Sequence, residues 1–364
     1  MKIDGKPYRT IWPSADGQAV EVIDQTVLPH RFAIRRIAGL EDAFDAIRTM
    51  VVRGAPLIGA TAAYGLALAL RRDPSDAGLE ASHRRLAGAR PTAVNLRHAL
   101  DDVRAHVARL PSAERARAAF ARAAAICEED VENCRLIGEA GLPLIEAIHR
   151  AKNRPVNILT HCNAGWLATV DWGTATAPIY MAHDRGVPVH VFVDETRPRN
   201  QGAALTAFEL GQHGVPHQIV VDNAGGHLMQ HGRVDLVIVG ADRVTARGDA
   251  ANKIGTYLKA LAARANQVPF YVAVPQTTID WTIEDGVRDI EIEERDSAEV
   301  THIVGRLENG DTVRVAIGAP GSPALNPAFD VTPAELITGL ITDRGVSPAT
   351  RDGLVGLFPE RKAA

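Results

Sequence analysis

The sequence predicts an α/β protein: a small N-terminal β-sheet and a helical subdomain, then a Rossmann-like parallel sheet with helices on both faces. Three observations carry this. Short apolar, β-branched runs recur at Val156–Leu159, Val189–Val193, Gln218–Val221, Asp235–Val239 and Phe270–Val274. Helical stretches of roughly a dozen residues separate them. Val237-Ile238-Val239 and Tyr271-Val272-Ala273-Val274 lack polar alternation, the pattern of strands covered on both faces. Repeated strand and helix build a doubly wound sheet.

The first 40 residues carry β signals. Ala19–Asp24 alternates apolar and polar residues, and Phe32–Ile37 is a weaker run, with Pro29 and His30 between them. A small antiparallel sheet is expected. Residues 41–150 are rich in Ala, Leu, Arg and Glu at helical spacing. Asp42 is placed to cap a helix over Ala43–Val52, Asn95 opens Leu96–Leu110, and Ser112 precedes Arg115–Cys127, with a further helix toward Arg135. The expected division is an N-terminal β/helical domain, 1–150, and a Rossmann-like catalytic domain, 151–364.

Composition removes several function classes. The 364 residues are 46% hydrophobic and 23% charged, with a formal net charge of -4. That is ordinary for a soluble domain and lacks the basic footprint of a nucleic-acid binder. The longest apolar stretch, Leu57–Leu70, is too short to span a bilayer and reads as a buried helix. Three cysteines cannot form a disulfide framework and no secretory signal opens the chain, so the cytoplasm is the expected compartment.

In an open parallel sheet, ligands bind beyond the carboxyl ends of the strands. The loops there are polar or glycine-rich: Thr160-His161-Cys162-Asn163-Ala164-Gly165, Asp194–Gly202, Asp222–Gly226, Gly240-Ala241-Asp242-Arg243 and Pro275–Thr278. Neither a dinucleotide fingerprint nor a P-loop follows any strand. Phosphate can instead sit at a helix N-terminus. Arg53-Gly54-Ala55-Pro56 and Gly248–Gly255, which contains Asn252 and Lys253, both read as loops opening helices.

Each feature has a bland alternative. A lone cysteine is most often structural, but Cys162 stands at a strand end before glycine. Cys127 and Cys134 lie in a helical segment and read as core. Asp242 directly follows an apolar strand; an N-cap or an ion pair with Arg243 competes evenly with a partly desolvated acid. His227/His231 and His213/His217 have helical zinc spacing, yet no H-E-x-x-H or CxxC accompanies them, so surface or capping roles are preferred. Trp166, Trp172 and Tyr180 read as core or interface aromatics.

The motifs Arg53–Gly59, Arg90–Leu96, Thr160–Gly165, Asp194–Pro198, Gly240–Arg243 and Gly248–Tyr257, in this order, resemble the methylthioribose-1-phosphate isomerase family. Ribose-1,5-bisphosphate isomerase and the regulatory subunits of the initiation factor 2B exchange factor share the wider family. The similarity runs nearly to Asn326–Pro333. The resemblance implies a homodimer without metal, nucleotide or other cofactor, acting on a small sugar phosphate. It assigns Cys162 and Asp242 as catalytic, and Arg53, Gly54, Ala55, Arg90, Gln201, Asn252 and Lys253 as substrate-binding. Trp166 and Gln276 depart from common family residues and are expected near the pocket, which leaves the 5-substituent open. The implied reaction converts 5-methylthioribose-1-phosphate to its ribulose isomer. Alternatives are 5-deoxyribose-1-phosphate or ribose-1,5-bisphosphate as substrate, or a non-catalytic sugar-phosphate-binding subunit.

Overall fold

The computed structural model describes residues 1–90 and 94–362. The chain opens with a ribbon, β1 (Lys2–Ile3) and β2 (Lys6–Pro7), then an antiparallel sheet of β3 (Ile11–Pro13), β4 (Val20–Ile23) and β5 (Ile34–Ile37). The two strands expected here are β4 and β5. The third, β3, is three residues ending in proline and has no readable alternation.

Helices α1 (Leu40–Arg48), α2 (Ala55–Leu70), α3 (Asp76–Ala87), α4 (Val94–Val107) and α5 (Ser112–Lys152) follow. A helix that is apolar on all sides belongs inside, and every residue of α2 from Leu57 to Leu70 is buried. Two expectations change. Helix α1 starts behind Gly39, and Asp42 reaches back to accept from the Ala38 N–H at 2.9 Å instead of capping Ala43. The two helices expected between 115 and 135 are one 41-residue helix, α5. Nothing breaks it there, and Arg135 pairs with Glu132 and Glu139 along its surface.

Beyond α5 come β6 (Val156–Thr160), β7 (Val189–Asp194), β8 (His217–Val220), β9 (Leu236–Val239), β10 (Arg243–Thr245), β11 (Ala250–Lys253), β12 (Phe270–Ala273) and β13 (Ile279–Asp280). Then follow β14 (His302–Arg306), β15 (Thr312–Ala316), β16 (Phe329–Thr332), β17 (Gly339–Thr342) and β18 (Gly345–Ser347). Helices α6 (Ala177–Asp184), α7 (Ala207–His213), α8 (Ala224–Gln230) and α9 (Thr256–Ala265) lie between them. The seven-stranded sheet runs β18-β17-β12-β9-β6-β7-β8, parallel except for β18. Its five leading strands are those predicted from sequence. A second sheet, β13-β10-β11-β16, stands beside it, and β14 and β15 form a separate hairpin.

Strand alternation divides the main sheet between two cores. Ile158, Val191, Val193 and Ile238 face Ile137 and Ile145 of α5 and Ile179 of α6. Leu159, Phe192, Val237 and Val239 face Leu228 of α8 and Ala260 of α9. Helix α5 also supplies Ala119 and Ala123 to a third core around α2. It therefore ties the helical layer to the sheet. Among the described residues no helix is long and apolar enough to cross a membrane.

Asp130, buried on α5, accepts the Val170 N–H at 2.7 Å, joining that helix to the loop beyond β6. Burial raises its pKa from 3.8 to about 7, against the lowering by that N–H. The folded state therefore holds a proton that the unfolded chain loses first. Wild-type stability should fall relative to Asp130→Asn as pH rises from 4 to 7, by up to about 1.4 kcal/mol per unit. Urea unfolding across that range measures it, and a constant difference would remove Asp130 as the buried proton carrier.

Candidate active site

Strand β6 ends at Thr160, and the chain leaves the sheet through His161, Cys162 and Asn163. Cys162 has a φ of 68°, in the left-handed region that residues with side chains seldom occupy. Such strain persists where neighbours over-determine the backbone. The Cys162 N–H donates to Thr196 Oγ1 at 2.9 Å, and its carbonyl accepts from Thr206 Oγ1 at 2.8 Å. Thr196, just past β7, also has a positive φ of 66°. Cys127 and Cys134, as expected, are buried core residues, and burial pushes both thiols up.

Arg53 lies against this turn. Its Nη1 donates to Asn163 Oδ1 at 2.6 Å and its Nη2 to the Asn163 carbonyl at 2.9 Å. The same Nη2 is 4.0 Å from Cys162 Sγ. Gly54 follows with a φ of 91° and precedes α2, whose first residues are Ala55 and Pro56. A Cβ on Gly54 would overlap the Ala168 carbonyl and Cα, so glycine is required on two counts. No side chain caps α2 among the described residues, and Pro56 in its first turn has no N–H to satisfy.

The second expected anion cradle is different. Residues 250–253 are strand β11, not a helix start. The N–H groups of Gly255 and Tyr257 at the start of α9 are already taken by the Asp330 carboxylate, at 2.7 and 3.1 Å. Of the two helix starts read from the sequence, the α9 start is occupied by Asp330.

Asp242 follows β9 and donates its N–H to the Ala251 carbonyl at 2.9 Å. The antiparallel β10–β11 register ends with Arg243 opposite Ala251, the residues next to Asp242 and Asn252. Asn252 is buried and donates to Thr256 Oγ1. Lys253 is 8% exposed, donates to the Ala328 carbonyl at 2.7 Å and lies over the Phe329 ring. Burial lowers its pKa, and the charges of Cys162 and then Asp242 oppose that lowering. Lys253 thus lies within electrostatic reach of both.

Two cavities divide the remaining residues. A cleft of about 1130 Å³ is lined by Arg53 and Gln201 and walled opposite by the β14–β15 hairpin. A pocket of about 40 Å³ is lined by Ala55, Arg90, Asp242 and Phe329. Cys162 lines neither; its Sγ lies 4.0 Å from Nη2 of Arg53, which lines the large cleft. Gln201 Oε1 is buried without a hydrogen-bond partner among the described residues. Arg90 is held by Glu293 at 3.3 Å, and Pro91–Ala93 of its motif lie outside the described residues.

Several supporting residues escape sequence reasoning. His161 Nδ1 is 2.9 Å from Asp194 Oδ2, which Lys259 Nζ approaches at 3.3 Å. Asp222 accepts from the N–H groups of Thr196 and Arg197, both at 2.7 Å. His161, Asp194 and Asp222 bring ligand atoms within 4.8 Å of one another. With Lys259 supplying a positive charge to the same carboxylate, the donor set reads as an ion-paired support for the loops. Glu209, fully buried on α7, accepts from Asn163 Nδ2, the Trp166 and Leu167 N–H groups and the Tyr180 hydroxyl. Burial lifts its pKa to about 7 against those four donors. Its one sequence signal is a lone carboxylate in Ala207-Phe208-Glu209-Leu210.

Trp166 and Gln276 do not line either cavity. Trp166 packs in the core with Ile179 and Tyr180, and Gln276 is held by Asp343 and Arg344. The histidine pairs likewise form no ligand set: His213 bonds Asp184, and His231 bonds the His227 carbonyl.

A parallel sheet with this thiol, acid and arginine at its carboxyl edge defines the class, and the chain belongs to the initiation factor 2 subunit family, whose model matches residues 51–349. Among its relatives, the methylthioribose-1-phosphate isomerases of Methylorubrum populi and Methylobacterium nodulans are each 68% identical over the whole of both chains. Two crystal structures share the fold. The 5-methylthioribose 1-phosphate isomerase of Pyrococcus horikoshii is 39% identical, with a TM-score of 0.84 over 98% of this chain and 97% of its own. The initiation factor eIF-2B subunit delta of A. fulgidus is 36% identical, with a TM-score of 0.80 over 97% and 100%.

Gly54→Ala should destabilise the fold by about 1–3 kcal/mol, the usual cost of such backbone strain. Thermal unfolding measures this; an unchanged midpoint would mean that the Arg53–Ala55 turn relaxes freely.

Proposed function

We propose that this chain is an aldose–ketose isomerase converting 5-methylthioribose-1-phosphate to 5-methylthioribulose-1-phosphate, with Cys162 and Asp242 as its catalytic pair. The carrying observation is the meeting of Arg53 with Cys162 at the open start of α2, with Lys253 in reach of both Cys162 and Asp242. The names borne by full-length relatives at 68% identity support the same activity.

The substrate phosphate sits at the N-terminus of α2, bound by the backbone of Gly54 and Ala55 and the Arg53 guanidinium. Arg90 exchanges Glu293 for the same anion. Gln201 Oε1 accepts a sugar hydroxyl, which removes the cost of an unpaired buried carbonyl. Asn252 and Lys253 face the oxygens near C1 and C2.

A 1-phosphate ester locks the ring, because no free anomeric hydroxyl is present to open it. The ring oxygen must leave C1, and Asp242 gives it a proton. In the proton-transfer route, Cys162 as thiolate takes the C2 proton while the C1–ring-oxygen bond breaks. The C1–C2 enol that forms loses its hydroxyl proton to the Asp242 carboxylate, and Cys162 returns a proton to C1. In the hydride route, ring opening leaves a cationic C1, the C2 hydrogen migrates there with its electron pair, and the C2 hydroxyl loses its proton to Asp242. Both routes balance and regenerate the two side chains.

Proton NMR of the sugar phosphate with the protein in D₂O should show the ribulose product. Deuterium at C1 marks the proton route and its absence the hydride route. No conversion of this sugar would overturn the proposal and direct the assay to 5-deoxyribose-1-phosphate and ribose-1,5-bisphosphate. Asp242→Asn and Cys162→Ser should each lose roughly 10²–10⁴-fold in kcat while still folding. Near-wild-type turnover in either variant would remove that residue from the mechanism.

The same reading includes a homodimer in the cytoplasm. The edge strand β8 and the turn after it expose Ile219 and Val221, at 52% and 59%, and an apolar sheet edge favours a partner. Sedimentation should give twice the 39.0 kDa chain mass; a concentration-independent monomer would contradict the dimer.

A further inference from the structure

Glu209 is a fully buried carboxylate that accepts four hydrogen bonds, all within the site's supporting loops and helices. Its Oε1 accepts from Asn163 Nδ2 at 2.9 Å and the Leu167 N–H at 2.8 Å. Its Oε2 accepts from the Trp166 N–H and the Tyr180 hydroxyl, both at 3.1 Å. A Cβ on Gly165 would overlap this carboxylate, so the loop after Cys162 is wrapped directly onto it.

In its ionised form the carboxylate only accepts, and together with Thr206 Oγ1, which accepts from Asn163 Nδ2 at 3.1 Å, it sets which way Asn163 points. Nδ2 must face Glu209, which turns Oδ1 toward Arg53, where it accepts from Nη1 at 2.6 Å. Arg53 Nη2 then lies 4.0 Å from Cys162 Sγ. We infer that Glu209 is a positioning residue for the reaction: through the Asn163 amide it sets the direction of the Arg53 guanidinium beside Cys162 and the phosphate. This rests on the isomerase reading above.

The chemistry of substitution makes the inference specific. A glutamine at 209 replaces one oxygen by an NH₂ donor. If the NH₂ takes the Oε2 place, the Tyr180 hydroxyl can rotate and accept, but the Trp166 N–H cannot. If it takes the Oε1 place, the Leu167 N–H loses its acceptor and two NH₂ groups meet, so the Asn163 amide either shifts off its Thr206 and Arg53 partners or turns over. The turned amide presents its own NH₂ to Arg53 and drives the guanidinium away. Either outcome disturbs the turn that carries Cys162, whereas loss of the Tyr180 hydroxyl leaves the Asn163 link intact.

The test is steady-state kinetics on wild type, Glu209→Gln, Asn163→Ala, the double variant and Tyr180→Phe, with folding followed by circular dichroism. Glu209→Gln should raise KM and lower kcat, a combined loss of about 10- to 100-fold, the scale of a misplaced site group. A purely structural role would reduce the folded fraction and so the apparent kcat, without moving KM. The double variant should be no worse than Asn163→Ala, because the two act along one path. Tyr180→Phe should stay within about threefold of wild type, since it removes one neutral hydrogen bond worth about 1 kcal/mol. Glu209→Gln at wild-type kcat and KM, or losses that multiply in the double variant, would overturn the role. If Glu209→Gln does not fold, Asn163→Ala decides: wild-type kinetics there overturns the path, and a loss with a raised KM, alongside an active Tyr180→Phe, supports it. A wild-type chain that leaves the sugar unconverted overturns the isomerase reading and this role together; an active wild type matched by Glu209→Gln overturns this role alone.

Discussion

Cys162 turns through the left-handed region at the end of β6, and much of the site exists to hold that turn. The backbone there gives up the hydrogen bonds a strand would have supplied, and buried N–H and C=O groups must find others. Two threonine hydroxyls supply them, Thr196 to the N–H and Thr206, at the end of a short helical turn, to the carbonyl. Both follow the neighbouring strand β7, which lies beside β6 through a five-pair parallel register. The thiol's position is thus set by how two strands align, and Arg53 reaches it from the helical layer.

Charge is distributed to keep one helix start open. Asp330 fills the N-terminus of α9, Asp222 holds the N–H groups after β7, and Asp249 holds those of Gly286 and Ala334. Each carboxylate satisfies backbone donors that would otherwise be costly to bury. At α2 no such group is supplied among the described residues, and the nearby charge is the cation Arg53, complementary to an anion. The buried His161–Asp194–Lys259 set behind the turn follows a related rule: buried charges persist where they are paired.

The helical layer and the sheet are joined by α5, whose first half packs on α2 and whose second half packs on the sheet. That arrangement brings the start of α2 to the carboxyl edge of β6. Arg53 and Cys162 are 109 residues apart, and their contact depends on this shared beam.

Much of this was legible from the chain alone. Unbroken apolar runs at Val237–Val239 and Tyr271–Val274 imply strands covered on both faces, because only there does polar alternation disappear. The largely apolar stretch Leu57–Leu70 implies a buried helix, and polar strand ends imply a site at one edge of the sheet. Short strands such as β10, β11 and β16 were not legible, since Arg243–Thr245, Ala250–Lys253 and Phe329–Thr332 contain no continuous apolar, β-branched run. The choice between two candidate anion cradles was also undetermined: Asp330, remote in sequence, occupies one of them. Nor could Ala207-Phe208-Glu209-Leu210 disclose that Glu209 meets Asn163 and Trp166. Local pattern determined which segments are strands and helices and which edge is polar, because periodicity and burial are properties of neighbouring residues. Tertiary structure decided which donor meets which acceptor, because those partners are separated by tens to hundreds of residues and meet only when the layers pack.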